Sequence, residues 1–254
     1  MTTTITVTNV KGGVGKSTTS LFIANILANE GKTVLLMDID SQNSLTSFYF
    51  EDYDSITGHT ILEALTSKID ITDCLYTVSD TLHFIPSDIE LCNLASQLKD
   101  NTGLKLNSIL KDIKSNYDYI IIDTPPNLHM ETRQSLAISN YVIIPTLLEK
   151  WAVRSIDIVM NYLNSADNKE LQEYANVELE NVFILPTSKE KNRKVQDIVL
   201  NDLKDKYEGV LEGISRKADV QKLSYIGSDM DLTKIPSYKE YQEALNMILS
   251  SELA

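Results

Sequence analysis

The chain has 254 residues, with 36 acidic against 23 basic side chains and a net charge of −13 at neutral pH. That balance opposes tight binding of nucleic acid over the whole surface and leaves a local basic patch as the only route to it. Hydrophobic residues at 43% and charged residues at 23% describe a globular chain of a size that suits one α/β domain. No apolar run nears the roughly 18 residues of a membrane span. The opening MTTTITVTNV lacks the basic stretch of a secretory signal. Cys74 and Cys92 form neither a CxxC nor a metal-ligand spacing, which fits a reducing, cytosolic setting.

In chain order, TITVTN alternates and is rich in β-branched residues, so it predicts a strand. From Lys16 to about Glu30, Leu21, Ile23, Ala24, Leu27 and Ala28 follow helical spacing, and Gly31 is placed to stop that helix. TVLLMDID reads as a strand buried on both faces, TLHFIP as a shorter strand, and YDYIIIDTPP, NYVIIPT and NVFILPT as three more. Helical segments are predicted at Val153 to Leu163 and Val195 to Leu203, a last strand in EGVLEGIS, and a closing helix from Tyr238 to Leu249. Apolar runs alternating with helices predict an α/β fold: a mostly parallel, doubly wound sheet covered by helices on both faces. Ligands of such sheets lie beyond the carboxyl ends of the strands. The stretches 11–17, 38–40, 123–126 and 145–146 all fall there.

The first of these is NVKGGVGKST. The strict phosphate-loop pattern requires a glycine at position 10, where this chain has Val10, and the stretch carries an additional lysine, Lys11. The physical requirements are nevertheless met. Gly12, Gly13 and Gly15, with Val14 between them, allow backbone N–H groups to turn inward on an anion, and the start of the following helix adds unpaired donors and a positive dipole end. Lys16 supplies a point charge for the β- and γ-phosphates, and Ser17 a hydroxyl for Mg²⁺. Asp123 ends an apolar strand as a metal-side acid does. Asp38 and Asp40 stand two apart, so both point to one face if the strand persists that far.

KGGVGKST, LLMDIDSQNSLTS and YDYIIIDTPPNL, in that order and at these distances, resemble the ParA/MinD group of deviant Walker-type ATPases. HFIPSD, NYVIIPTLLEKWAVRSIDIVMNYL and VFILPTSKEKNR resemble further segments of plasmid ParA proteins, and EKWAV those of spirochaete plasmids. The resemblance implies a P-loop NTPase fold of deviant Walker A type, with ATP and Mg²⁺ as cofactors. Residues 11 to 18 would form the nucleotide cradle, with Lys16 as the loop lysine, Thr18 near the α-phosphate and Gly12 at a dimer interface. Ser17, Asp38 and Asp123 would surround the metal and its waters. Asp40 would orient the attacking water, and Lys11 would reach across a homodimer to the partner's nucleotide. Lys11, Lys16 and Asp40 are thus the candidate catalytic residues. The family often reads Pro-Gln-Gly-Asn after the second acid; here Ser41-Gln42-Asn43-Ser44 stands there, which puts the hydrolysis rate in question more than binding.

Among relatives, an iron–sulfur protein of the nitrogenase type would need a cysteine soon after each acidic strand, and neither cysteine stands there. The tail SYKEYQEALNMILSSELA is not basic enough for a membrane helix, so it is expected to pack on the core and no membrane partner is expected. A first strand near Thr4 leaves no room for an N-terminal operator-binding domain, so residues 1–254 are expected to form a single ATPase domain. Between Lys189 and Lys222 nine basic residues meet seven acidic ones. Lys189, Lys191, Arg193, Lys194, Arg216 and Lys217 are the candidate contacts to non-specific double-stranded DNA. The resemblance therefore implies a cytoplasmic ATPase, nucleoid-associated when ATP-bound, that partitions a plasmid or chromosome. It would turn over slowly until a ParB-like, centromere-bound adaptor stimulates it. Two other readings stay open: a relative that positions a protein cargo, and a nucleotide-dependent scaffold or regulator with negligible hydrolysis.

Overall fold

A computed structural model describes residues 2–98, 104–190, 192–216, 223 and 227–250. Its strands are β1 (Thr3–Val7), β2 (Val34–Asp38), β3 (Tyr76–Ser79), β4 (Leu82–Ile85), β5 (Tyr119–Asp123), β6 (Tyr141–Leu147) and β7 (Asn181–Thr187). They form one sheet in the order β3-β4-β2-β5-β1-β6-β7. Every pairing is parallel except β3 with β4, an antiparallel edge hairpin. The helices are α1 (Lys16–Asn29), α2 (Ser44–Tyr49), α3 (Ile61–Leu65), α4 (Leu94–Gln97), α5 (Lys105–Leu110), α6 (Met130–Ala137), α7 (Ala152–Leu163), α8 (Ala166–Ala175), α9 (Lys194–Lys206) and α10 (Ser237–Ser250).

The unbroken apolar strands are explained by their two covered faces. Side chains alternate across a strand. Ile121 therefore joins a core with α1 and α10, while its neighbours Ile120 and Ile122 join the opposite core with α3 and α5. A third cluster packs α7 and α9 against Val142, Ile144 and Ile184. Each fully buried side chain of this kind contributes about 1.5–3 kcal/mol. The closing helix packs on the core as expected: Tyr241 stacks on Phe22 with ring centroids 4.5 Å apart, and Leu245 and Ile248 are buried. Among the described residues no helix is long and apolar enough to cross a membrane.

Two expectations are corrected. Residues of EGVLEGIS form no strand; they run beside β7 through two isolated parallel bridges, Ile184 with Val210 and Lys189 with Ser215. Pro186 in β7 has no N–H to donate, and the four residues from Leu211 to Ile214 run beside the three from Ile184 to Pro186. Gly213 takes up that extra residue with φ +88°, where a Cβ would come within 2.6 Å of the Pro186 carbonyl. The second correction concerns Asp40. β2 ends at Asp38, and Asp40 is brought back to the strand end by a hydrogen bond rather than by continued strand geometry.

Candidate functional site

The ends of β1, β2 and β5 lie side by side, with Asp38 of β2 directly opposite Asp123 of β5 and Val7 of β1 also in register with Asp123. The loop of residues 8–15 leaves β1 here and leads into α1. Gly13 and Gly15 hold positive φ, +71° and +89°, and Gly15 is the residue that opens α1. A Cβ at Gly15 would stand 3.7 Å from the Thr187 methyl, an ordinary contact, so it is the positive φ that calls for glycine there. The loop is clamped from both sides. Asn9, fully buried, donates to the Pro145 carbonyl and accepts from the Lys11 N–H. Thr187 at the end of β7 donates to the Val14 carbonyl at 2.8 Å. Val10 packs against the cluster beneath α7 and α9.

Lys16, only 7% exposed, begins α1 beside the acids. Burial lowers its pKa, opposed by the negative charges of Asp123 and Asp40. Asp123 is fully buried, and burial raises its carboxyl to about 8, with the charge of Asp38 adding to the effect. The Ser17 and Ser20 hydroxyls and the Lys16 charge act in the opposite sense. Burial likewise raises Asp38 to about 6, against hydrogen bonds from Thr46 and Asp40. Two buried carboxyls at adjacent strand ends therefore resist carrying charge together unless a cation joins them.

The acids differ in what they already hold. Asp38 accepts the Asp40 N–H on Oδ1, and both the N–H and the hydroxyl of Thr46 on Oδ2. Asp123 accepts the Ser20 hydroxyl on Oδ1, while its buried Oδ2 has no hydrogen-bond partner. A buried carboxylate oxygen left over beside a serine hydroxyl suits a hard divalent cation or its bound water. The residues present thus fit Mg²⁺. Among the described residues no group of three or more His, Cys, Asp or Glu side chains forms a metal cage.

The raised carboxyls carry a sign for stability. An acid whose folded pKa lies above its unfolded value is favourable at low pH and loses that contribution as pH rises through the folded value. Free of metal and nucleotide, the protein is expected to lose stability, and to melt at lower temperature, through this pair as pH rises from about 4 toward about 8. Asp123→Asn should flatten that slope in a thermal-melt series across pH. An identical slope in both proteins would contradict it.

The Lys11 side chain rests on the segment that follows β6. Its ammonium pairs with Glu149 Oε2 at 2.5 Å, and its side chain is one-third exposed. A cavity of about 310 Å³ opens from Gly13, Gly15 and Thr18 and continues between Glu149, Thr187, Gln196 and Ser215. Two candidate DNA residues line it: Arg193 and Arg216 both pair with Glu190 Oε1, at 3.0 and 2.8 Å. Lys189 donates to the Glu212 carbonyl. Lys194 starts α9, and Lys191 and Lys217 lie outside the described residues.

Sequence reasoning overlooked Asn9, Ser20, Thr46, Glu149 and Thr187. Ser20 was within reach, because it follows Lys16 by one helical turn and so shares its face. Glu149 and Thr187, and the bonds of Asn9 to Pro145 and of Thr46 to Ser87, depend on contacts distant in sequence. Glu131 was also missed: it is a buried carboxyl that burial pushes up, with Asp40 adding its charge.

With the geometry described, comparison with known proteins identifies the family. A family profile described as an AAA domain matches residues 2–181. The chain is 37% identical over 161 residues to the sporulation initiation inhibitor protein Soj of Bacillus subtilis. It belongs to the ParA/MinD family of P-loop ATPases. The Soj match covers 62% of this chain and 63% of Soj, so the chain spans less than two thirds of that relative's length. A structure from Borrelia burgdorferi B31, described as a plasmid partition protein and solved with AMPPNP, superimposes with a TM-score of 0.85 at 31% identity. It covers 98% of this chain and 99% of its own. Maintenance of carboxysome distribution protein A of Synechococcus elongatus is 34% identical over 144 residues, covering 56% of this chain and 57% of its own. The seven-stranded sheet and the deviant phosphate loop are those of this ParA/MinD fold.

Proposed function

We propose that this ParA/MinD-family chain is an ATP-driven dimer switch for DNA partition. The observation that carries the reading is the position of Lys11. Its backbone is held by Asn9 and its ammonium rests on Glu149, which also lines the cavity beside the loop. When two ATP-loaded chains face one another, each Lys11 leaves Glu149 for the partner's phosphates. An exposed ion pair of this kind is worth about 0–1 kcal/mol, so the exchange costs little. The γ-phosphate then favours the closed pair, as in other nucleotide switches.

In this reading the backbone of residues 12–15 cradles the phosphates, Lys16 neutralises them, and Thr18 lies near the α-phosphate. Ser17 and Asp123 Oδ2 hold Mg²⁺ and its waters, with Asp38 behind them. Held there, Mg²⁺ would supply positive charge to offset that of the triphosphate. Asp40 orients the attacking water. The cavity lined by Thr187, Gln196 and Ser215 takes the nucleoside.

The DNA surface of the dimer is built from Lys189, Lys191, Arg193, Lys194, Arg216 and Lys217. Arg193 and Arg216 exchange Glu190 for phosphate, and a ParB-like adaptor stimulates hydrolysis and release. Similarity to a plasmid partition protein over nearly the whole chain supports this reading. Similarity to a carboxysome distribution protein favours a second one, in which the same cycle positions a protein cargo.

Co-sedimentation with double-stranded DNA in ADP, ATP and a slowly hydrolysed ATP analogue, at two salt concentrations, tests the proposal. Binding should require ATP or the analogue and should weaken steeply with salt, since each phosphate contact releases counterions. Lys11→Ala should abolish it while retaining ATP binding. Equal binding in ADP and ATP, or none in either, would overturn the partition reading, and retained dimerisation of Lys11→Ala would remove the exchange across the pair.

A further inference from the structure

The loop that carries Asp40 is anchored through one buried hydroxyl. Thr46 is fully buried in the first turn of α2. Its N–H and its hydroxyl both donate to Asp38 Oδ2 at 2.9 Å. The same hydroxyl oxygen accepts the Ser87 N–H, also at 2.9 Å. Ser87 follows β4, the neighbour of β2 in the sheet, with Met37 of β2 paired to Ile85 of β4. Thr46 therefore ties α2 to two adjacent strand ends at once.

The other carboxylate oxygen of Asp38 completes the loop. Oδ1 accepts the Asp40 N–H at 3.0 Å, Asp40 Oδ1 accepts the Gln42 N–H at 2.9 Å, and the Asp40 carbonyl accepts the Asn43 N–H at 2.8 Å. Asn43 turns the chain into α2 with φ +56°. From Asp38 to Thr46 the backbone thus leaves the strand, presents Asp40 and returns to the same carboxylate. A carboxylate offers about four acceptor positions. Three on Asp38 are taken by this loop, whereas Asp123 keeps a whole oxygen without a partner.

We propose that Thr46 is a positioning residue for ATP hydrolysis, holding the Asp40 loop in register by joining Asp38 to the backbone of Ser87. This rests on the reading that Asp40 orients the attacking water. Thr46 is fully buried and acts through Asp38, by removing the loop's freedom to shift. A displacement of about 1 Å at a reacting geometry costs up to about 100-fold in rate. The phosphate cradle draws on other anchors, Asn9 and Thr187, and is independent of Thr46.

The test compares Thr46→Val, which keeps shape and N–H but loses the hydroxyl, with Thr46→Ser, which restores it. In Thr46→Val, kcat per ATP-binding site should fall about 10- to 100-fold, with the directly measured ATP Kd within about 2-fold of wild type. Thr46→Ser should recover kcat to within about 3-fold. Hydrogen exchange in the 40–46 peptide should quicken in the valine variant alone, while exchange in the 9–16 peptide stays unchanged. If Thr46→Val does not fold, Thr46→Ala is read in the same way. Unchanged kcat per site, or equal losses of kcat and ATP affinity, would overturn the proposal. Normal hydrolysis by Asp40→Ala would overturn the underlying reading instead, so the two failures are distinguishable.

Discussion

Lys16→Ala is expected to weaken ATP binding by about 100-fold or more, equivalent to about 3 kcal/mol. Lys16 is the buried cation at the start of α1, and its charge is set against Asp123 and Asp40. Removing it has two consequences of the same sign. The triphosphate loses a charge-assisted contact formed where water is largely excluded, and such contacts are the strong ones. The acids at the strand ends lose their cation as well, so any charge remaining on Asp38, Asp40 and Asp123 repels the incoming phosphates more strongly. Titration of a fluorescent ATP analogue measures the effect, and isothermal calorimetry in the presence of magnesium checks it without a label. The backbone cradle at Gly13 and Gly15 is intact in the variant, so its fold should be unchanged by circular dichroism. ATP affinity within 3-fold of wild type would refute the assignment of residues 11–18 as the phosphate site.

Asp40→Ala is expected to separate binding from turnover. Asp40 is almost fully buried, and its carboxylate is placed by the bonds described above rather than by contact with Lys16 alone. Loss of a group that orients and deprotonates water lowers a rate by about 100- to 10,000-fold. ATP affinity should hold or tighten, because a negative charge near the phosphates is removed. The variant should therefore accumulate as an ATP-bound dimer, seen by size exclusion with light scattering, and release phosphate at that reduced rate. Asp40→Asn retains the acceptor for Gln42 and serves as the isosteric check on loop geometry. It should be impaired nearly as much as alanine if charge is what matters. Turnover within a few-fold of wild type in both variants would remove Asp40 from the mechanism.

Much of this site was legible before folding because its chemistry is compressed into short stretches. GGVGKST contains the cradle, the loop lysine and the serine within seven residues, and the strand-to-helix setting that such a loop needs is visible in TITVTN before it and the apolar helix after it. Buried strands betray themselves because both faces are covered, so VLLMD and YIIID read as unbroken apolar runs ending in an acid. The failures have equally definite causes. EGVLEGIS is strand-like in composition, but Gly213 at positive φ and the missing donor of Pro186 reduce it to two bridges. β3 is exposed and short, with little of the apolar pattern that reveals a strand.

The sequence by itself determined the family, the parallel sheet, the phosphate loop and the identities of the acids, because each is encoded by residues close together along the chain. Only the tertiary structure decided how the work is divided among those acids. Asp38 and Asp123 look alike as residues that end apolar strands. Parallel pairing sets them side by side, and their hydrogen bonds then distinguish them: Thr46, itself tied to the Ser87 N–H, and the Asp40 N–H occupy both oxygens of Asp38, while Ser20 occupies one oxygen of Asp123 and its other oxygen has no partner. The same holds for Lys11. Its presence was written in the sequence, but its resting partner, Glu149, lies 138 residues away and meets it only because β1 and β6 are neighbours in the sheet.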